Sequence, residues 1–228
     1  MNASRKAFYV GLSMLVSFSV IFIIIFLPIF NNQNGLDYLD SLYNSISKAS
    51  ANYIPTLEKE RGNYESRSIA VTLSLKDEKQ ADQTAQLFTK SGVTAYSEGL
   101  QLNVTGDLAL IIDGCLEDAG RLFHNQGNTL SEKYGYPERQ VLYNWWDALK
   151  SMEKQLNKQK KFAEAKFVAS VNKKGVECAY NYYGIEPQKI TEKLGTVIFS
   201  LGFYVIYTIW YGFALLYLFQ GAGLKLDH

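Results

Sequence analysis

Apolar residues crowd the two ends of the chain, and the stretch between them mixes apolar and polar positions in short periodic runs. Residues 7–36 carry no charge and include Val20-Ile21-Phe22-Ile23-Ile24-Ile25-Phe26-Leu27. The apolar core, 8–30, has ~23 residues, and at ~1.5 Å each these reach ~34 Å, enough to cross a hydrocarbon core. A buried core helix rarely stays apolar on every face. A cleaved signal peptide has a shorter apolar region and a small-x-small site. Leu27-Pro28-Ile29-Phe30-Asn31-Asn32 holds no such site. The pattern predicts a six-residue N-terminus, an uncleaved transmembrane helix over 7–30 and a second over 194–220.

The second stretch is uncharged from 194 to 224 and rich in aromatic residues, including Phe199, Phe203, Tyr204, Tyr207, Trp210, Tyr211, Phe213, Tyr217 and Phe219. Aromatic rings suit membrane interfaces, yet here they also fill the middle. Tyrosine hydroxyls at depth seek partners, as do Ser200 and Thr208. Gly195, Gly202, Gly212 and Ala214 would let another helix approach closely, although no GxxxG motif is formed. This favours packing against helices of this chain or of partners, with Gly202, Tyr207 and Trp210 as candidate contacts; the simpler alternative is one lipid-exposed anchor.

Arg5 and Lys6 precede the first span, and no Lys or Arg follows it until Lys48. By the positive-inside rule the N-terminus is cytoplasmic, and two spans return the short tail (221–228, with Lys225) to the same side. Lys189 and Lys193, before the second span, argue the other way. The expectation is an integral protein of the plasma or inner membrane, both termini cytoplasmic and the centre extracytoplasmic.

In the centre, Leu36, Leu39, Leu42, Tyr43 and Ile46 recur at helical spacing, predicting a short amphipathic helix within a membrane-proximal segment over 31–66; Pro55 ends that helix or its trailing loop. Ile69, Val71, Leu73 and Leu75 alternate with Ala70, Thr72 and Ser74, a half-buried strand. Asp77 caps a helix with Ala81, Ala85 and Phe88 on its apolar face, and Gly92 stops it. A second strand over 93–97, a turn at Glu98-Gly99 and a third strand with Leu100, Leu102 and Val104 follow. Asp107 caps a helix carrying Leu108, Ile111, Ile112, Cys115, Ala119 and Leu122. This β-α-β-β-α unit over 67–125 resembles part of a ferredoxin-like fold in element order. The resemblance implies no activity, because function belongs to sites.

Residues 125–135 read as a loop. Pro137 opens a long helix to about residue 171, within a segment over 136–172, with Leu142, Trp145, Leu149, Met152 and Leu156 at helical spacing. It either projects or breaks near Lys160 into a hairpin. Gly175 ends it, and the membrane-proximal segment 173–193 follows, where Pro187 starts the final helix. The predicted fold class is thus a membrane-anchored α+β protein: two transmembrane helices flanking an extracytoplasmic β-α-β-β-α unit and a long helix or helical hairpin.

Residues 147–174 carry eight lysines against Asp147, Glu153 and Glu164. This is a solvated face or, at Lys158, Lys160 and Lys161, a contact for an acidic partner or lipid headgroups. Trp145 and Trp146 stand side by side, so one faces the core while the other is free to meet a partner.

Composition narrows the function. The 228 residues carry a net charge of +1, which gives no reason to expect a nucleic-acid partner. His124 is the one histidine away from the terminus, and no nucleophile elbow accompanies it. Cys115, Cys178 and His124 have no ligand spacing, so no metal is expected. There is no GxGxxG, GxxxxGK[ST] or CxxCH, and no cofactor is expected. Carboxylates such as Asp113, Glu117 and Asp118 share one helix and read as its surface. Cys115 and Cys178 form either a disulfide or two free thiols. Asn103-Val104-Thr105 matches a glycosylation site.

The resulting expectation is a non-catalytic accessory or scaffold subunit of a membrane complex. Its partners are membrane lipid and other membrane subunits or further copies of itself. The alternative is an extracytoplasmic ligand-binding or sensor module that signals through partners, since only ~8 residues follow the second span.

Overall fold

The structure is a computed structural model that describes residues 3–30 and 32–224. Lys225, His228 and the rest of the expected tail beyond 224 lie outside the described residues. The chain is mixed α+β and mostly helical, with one three-stranded sheet and two end helices long and apolar enough to cross a membrane.

Helix α1 spans Ala3–Ile25. It starts earlier than the 7–30 expected, and it stops earlier because the Pro28 ring and its missing N–H end a helix upstream. Asn34 begins α2 (Gly35–Ser50): its Oδ1 accepts the Asp37 N–H at 2.9 Å, and its Nδ2 donates to the Asp37 carboxylate at 2.8 Å. Pro55 ends the loop that trails α2 rather than the helix itself. It lies in the first turn of α3 (Ile54–Arg61), where its missing N–H costs nothing. Strand β1 is Ser68–Ser74. Asp77 caps α4 (Glu78–Lys90), accepting the Gln80 N–H at 2.8 Å. β2 (Thr94–Glu98) and β3 (Gln101–Asp107) join through Gly99-Leu100. Gly99 has φ +60°, which suits the first position of a II′ turn. Leu100, expected inside the third strand, is therefore a turn residue and is exposed.

Asp107 caps α5 (Leu108–Phe123) through the Ala109 N–H at 2.8 Å, and its other oxygen accepts the Ser66 N–H. Residues 125–135 are not a loop throughout: α6 runs Gly127–Tyr134, with Leu130 and Tyr134 buried one turn apart, and left-handed Gly135 ends it. α7 spans Glu138–Lys158 and α8 Phe162–Val171, broken by left-handed Lys160. The two helices pack on each other, the hairpin form of this segment. Gly175 does not stop α8. The backbone continues through a π-helical turn, Asn172–Glu177, into α9 (Cys178–Tyr182). A Cβ on Gly175 would lie 3.2 Å from Leu116 Cδ2, so the glycine answers to packing. α10 runs Ile190–Gly221, starting three residues after Pro187.

The elements form two compact units, one of Met1–Ala49 with Glu186–His228, the other Ser50–Ile185. In the second, the sheet has order β1-β3-β2 with both pairs antiparallel. Ile69, Val71 and Leu73 of β1 and Leu102 and Val104 of β3 point one way into the core. On the opposite face Thr72 Oγ1 and Asn103 Oδ1 lie 2.7 Å apart, so the glycosylation-type Asn103 sits mid-strand with its side chain engaged.

A ferredoxin-like sheet would add a fourth strand beside β1, and none is present among the described residues. Side chains of α7 and the turn after it take that edge. Ser151 Oγ accepts the Ser74 N–H at 3.2 Å, Gln159 Nε2 donates to Ala70 O at 2.7 Å, and Lys161 Nζ donates to Ser68 O at 3.3 Å. Covering an edge in this way removes a template for unwanted strand pairing.

Candidate functional site

Within the second unit, α7 and the π-turn with α9 enclose a cleft of about 320 Å³ lined by Leu142, Tyr143, Trp146, Val176, Glu177 and Tyr180, among others. The π-turn sets its far wall. A turn of that type admits one extra residue, and it brings Glu177 Oε1 to 2.8 Å from the Trp146 indole N–H. Tyr143 and Trp146, one turn apart on α7, stack with centroids 5.9 Å apart. Lys150 Nζ lies 4.6 Å from the Trp146 ring centroid.

Tyr143 and Tyr180 also wall a second recess of about 350 Å³, lined further by Lys76, Asp77, Gln80, Arg139 and Gln140. The two recesses thus adjoin across Tyr143 and Tyr180, one aromatic and the other polar. The Arg139 guanidinium sits 5.2 Å from the Tyr180 centroid and 5.1 Å from that of Tyr183. Tyr183 in turn donates to Glu138 at 3.1 Å. The Glu138 carboxyl is held below its usual range by its own backbone N–H and by the Ser131 hydroxyl.

Within the first unit, α1 and α10 pack antiparallel. Ser4 Oγ donates to Gly221 O at 3.0 Å near one end, and Phe18 stacks on Tyr207 at 4.1 Å farther along. Trp210 Nε1 donates to Met14 O at 3.2 Å. The close approach is built on Gly11 and Gly221: a Cβ on Gly11 would fall 2.9 Å from Ala214 O, and one on Gly221 would run into the Phe8 backbone.

The sequence candidates land unevenly on these surfaces. Trp146 lines the cleft. Trp145 is no partner contact: it is fully buried, edge-on to Phe88, with its N–H donated to Asp118 at 2.9 Å. Tyr207 and Trp210 meet α1 of the same chain. Gly202 takes no part in that packing, since a Cβ there would meet nothing within 4 Å, and Gly195 and Gly212 are equally open. Of the four small residues singled out from the sequence, only Ala214 faces α1; Gly221, at the end of the helix, faces it as well. Lys158 and Lys160 are exposed at the α7–α8 turn, while Lys161 is tied to β1.

Cys115 and Cys178 are free thiols rather than a disulfide. Cys115 faces the core of α5, where burial pushes its pKa well up and leaves it inert; the Cys178 thiol donates to Ala51 O at 3.2 Å. His124 caps α5 through its backbone, with its ring edge-on to Phe123. Among the described residues no cluster of three or more His, Cys, Asp or Glu is placed to hold a metal.

Asp118, read from sequence as helix surface, is fully buried. It accepts from Lys133 Nζ at 2.8 Å, Tyr134 Oη at 2.7 Å and Trp145 Nε1. Its signal was present in the spacing: position 118 follows Ile111 and Cys115 at helical intervals on the apolar face of α5. No protein-family model, curated protein or solved structure matches the chain.

Proposed function

We propose that the protein is a two-pass, non-catalytic accessory subunit of a membrane complex, with both termini cytoplasmic and the central unit extracytoplasmic. The observation that carries this reading is Tyr211. It lies ten residues before the end of α10, beside Phe18 at a centroid distance of 5.0 Å, and is 43% exposed. At ~1.5 Å per residue its ring is ~15 Å from that end, beyond a tyrosine's reach to water. Its hydroxyl has no hydrogen-bond partner among the described residues, and a hydroxyl left unpaired in hydrocarbon costs a few kcal/mol. A partner helix that supplies an acceptor removes that cost. A recess of about 660 Å³ along α1, lined by Tyr9, Leu12, Ser13, Val16, Ser17, Val20 and Ile21, offers a seat with two small residues.

The test places a photoreactive benzophenone side chain at position 211 in native membranes, followed by mild-detergent extraction, sizing and mass spectrometry. A defined adduct with one other membrane chain supports the reading. Labelling of lipid alone, with a lone monomer on sizing, overturns it. A second reading, a ligand-binding module that acts through partners, is favoured by the aromatic cleft between α7 and α9.

A further inference from the structure

We infer that the two adjoining recesses that share Tyr143 and Tyr180 form a binding site for a small aromatic carboxylic acid. This rests on the ligand-binding reading and names its ligand class. The apolar end, about 320 Å³, falls in the range of small-molecule sites and matches one ring system. Tyr143, Trp146 and Tyr180 offer ring faces and edges there, while Leu142 and Val176 supply aliphatic floor.

Charge decides the other half of the ligand. The cleft has two carboxylates and both are already engaged: Glu177 accepts the Trp146 N–H, and Asp77 accepts the Gln80 N–H. A third cation, Lys150, already lies over the Trp146 ring, but the two cations that line the polar recess make no ion pair among the described residues. Among these residues the Arg139 guanidinium stacks on the rings of Tyr180 and Tyr183 and feels the neighbouring Glu138 charge without pairing to it, and the Lys76 ammonium has no ion-pair partner. Stacking on the two rings holds the Arg139 fork in place while its N–H donors stay unspent, the arrangement that suits a carboxylate. Gln140, at the same end, adds a neutral amide. A ligand that lays its ring against Trp146 and its carboxylate against Arg139 and Lys76 satisfies both ends. Neutral and cationic analogues leave the two cations unmatched.

The test uses the full chain in detergent and three probes of one shape: phenylacetate, 2-phenylethanol and 2-phenylethylamine. Calorimetry and Trp146 fluorescence report binding, with Trp146→Phe assigning the optical signal. Phenylacetate is expected to bind at least about tenfold tighter than the other two, and Arg139→Gln to lose about tenfold or more for phenylacetate alone. Lys76→Gln, remote from the stacked rings, is a second variant that should weaken phenylacetate in the same direction. Preference for the amine or the alcohol overturns the acid assignment while leaving a ligand site in place. Failure of all three, with no protection of the cleft by any member of an aromatic fragment set, overturns both the assignment and the ligand-binding reading.

Discussion

Asp118 is where a single residue holds most of its neighbours in place. Its buried carboxylate is shared by an ammonium and a phenol from α6 and an indole from α7. Burial, and then the nearby Asp118 charge, push the Tyr134 hydroxyl far above its ordinary pKa, so it remains a donor at every accessible pH. Asp118→Ala strands the Lys133 charge and two donors, which is expected to cost ~3–5 kcal/mol; Asp118→Asn, which keeps an acceptor, costs less. Thermal unfolding of the full chain followed by near-UV circular dichroism checks this, and equal midpoints for the two variants would refute it. Glu164 makes a second residue-scale case. Arg67 donates to it at 2.7 Å and holds its pKa below the ordinary 4.5. A carboxylate with a lowered folded pKa adds stability that is complete above its unfolded value and is lost as pH falls through the folded one. The partly exposed pair contributes below about 1 kcal/mol. The stability gap between the native chain and Glu164→Gln is thus expected near neutral pH and should close on titration below about pH 4; a gap that widens on acidification would reverse the assignment.

At the level of elements, the α1–α10 contact depends on backbone meeting backbone, so side-chain volume at Gly11 is decisive and at Gly202 irrelevant. Cysteines replacing Met14 and Trp210, in a chain lacking Cys115 and Cys178, should cross-link. Adding Gly11→Leu should abolish the cross-link, while Gly202→Leu leaves it intact; loss from both would mean α10 uses a different face. This pair also marks what sequence reveals. Strands, caps and the β-α-β-β-α order were legible because Ile69, Val71 and Leu73 alternate and Asp77 and Asp107 stand where capping oxygens are needed. The membrane-type helices were legible from length and lack of charge. Which face of α10 packs was not, because an all-apolar helix carries no stripe to orient it, and Gly11 sits in a stretch where every residue is apolar or small. The cleft was half legible: Trp146 stood out as a large aromatic beside a core tryptophan. Arg139 and Glu177 did not, because the π-turn that brings Glu177 to Trp146 leaves no periodicity to read. Asp118 was missed because a charged residue on a helix defaults to the surface until its three partners are known.

For the molecule as a whole, the antiparallel pair fixes a consequence that charge counting leaves close. Helix α1 runs one way and α10 the other, so the chain leaves the pair after Ile25 and re-enters it at Ile190 at the same end. Spanning a bilayer, such a pair would put the residues that follow Ile25 and precede Ile190 on one side and the start of α1 and the end of α10 on the other, whatever the orientation. In the proposed two-span reading, charge sets the expected orientation. Arg5 and Lys6 lie in the first turns of α1, beside the end of α10, and so favour the cytoplasmic side for that end. Lys189 and Lys193 oppose them from the other end, but stand on the re-entering helix, and the first span usually dominates. Single cysteines replacing Ser4, Ser97 or Ala222, in a chain without Cys115 and Cys178, separate these possibilities with a membrane-impermeant maleimide on intact cells. Labelling at 97 without permeabilisation, and at 4 and 222 only after it, is the expected pattern. The mirror pattern would keep the hairpin and invert its orientation, which would place the aromatic cleft on the cytoplasmic side and change the pool of acids it meets. Labels at 4 and 222 on opposite sides would be incompatible with the α1–α10 pair as a two-span anchor.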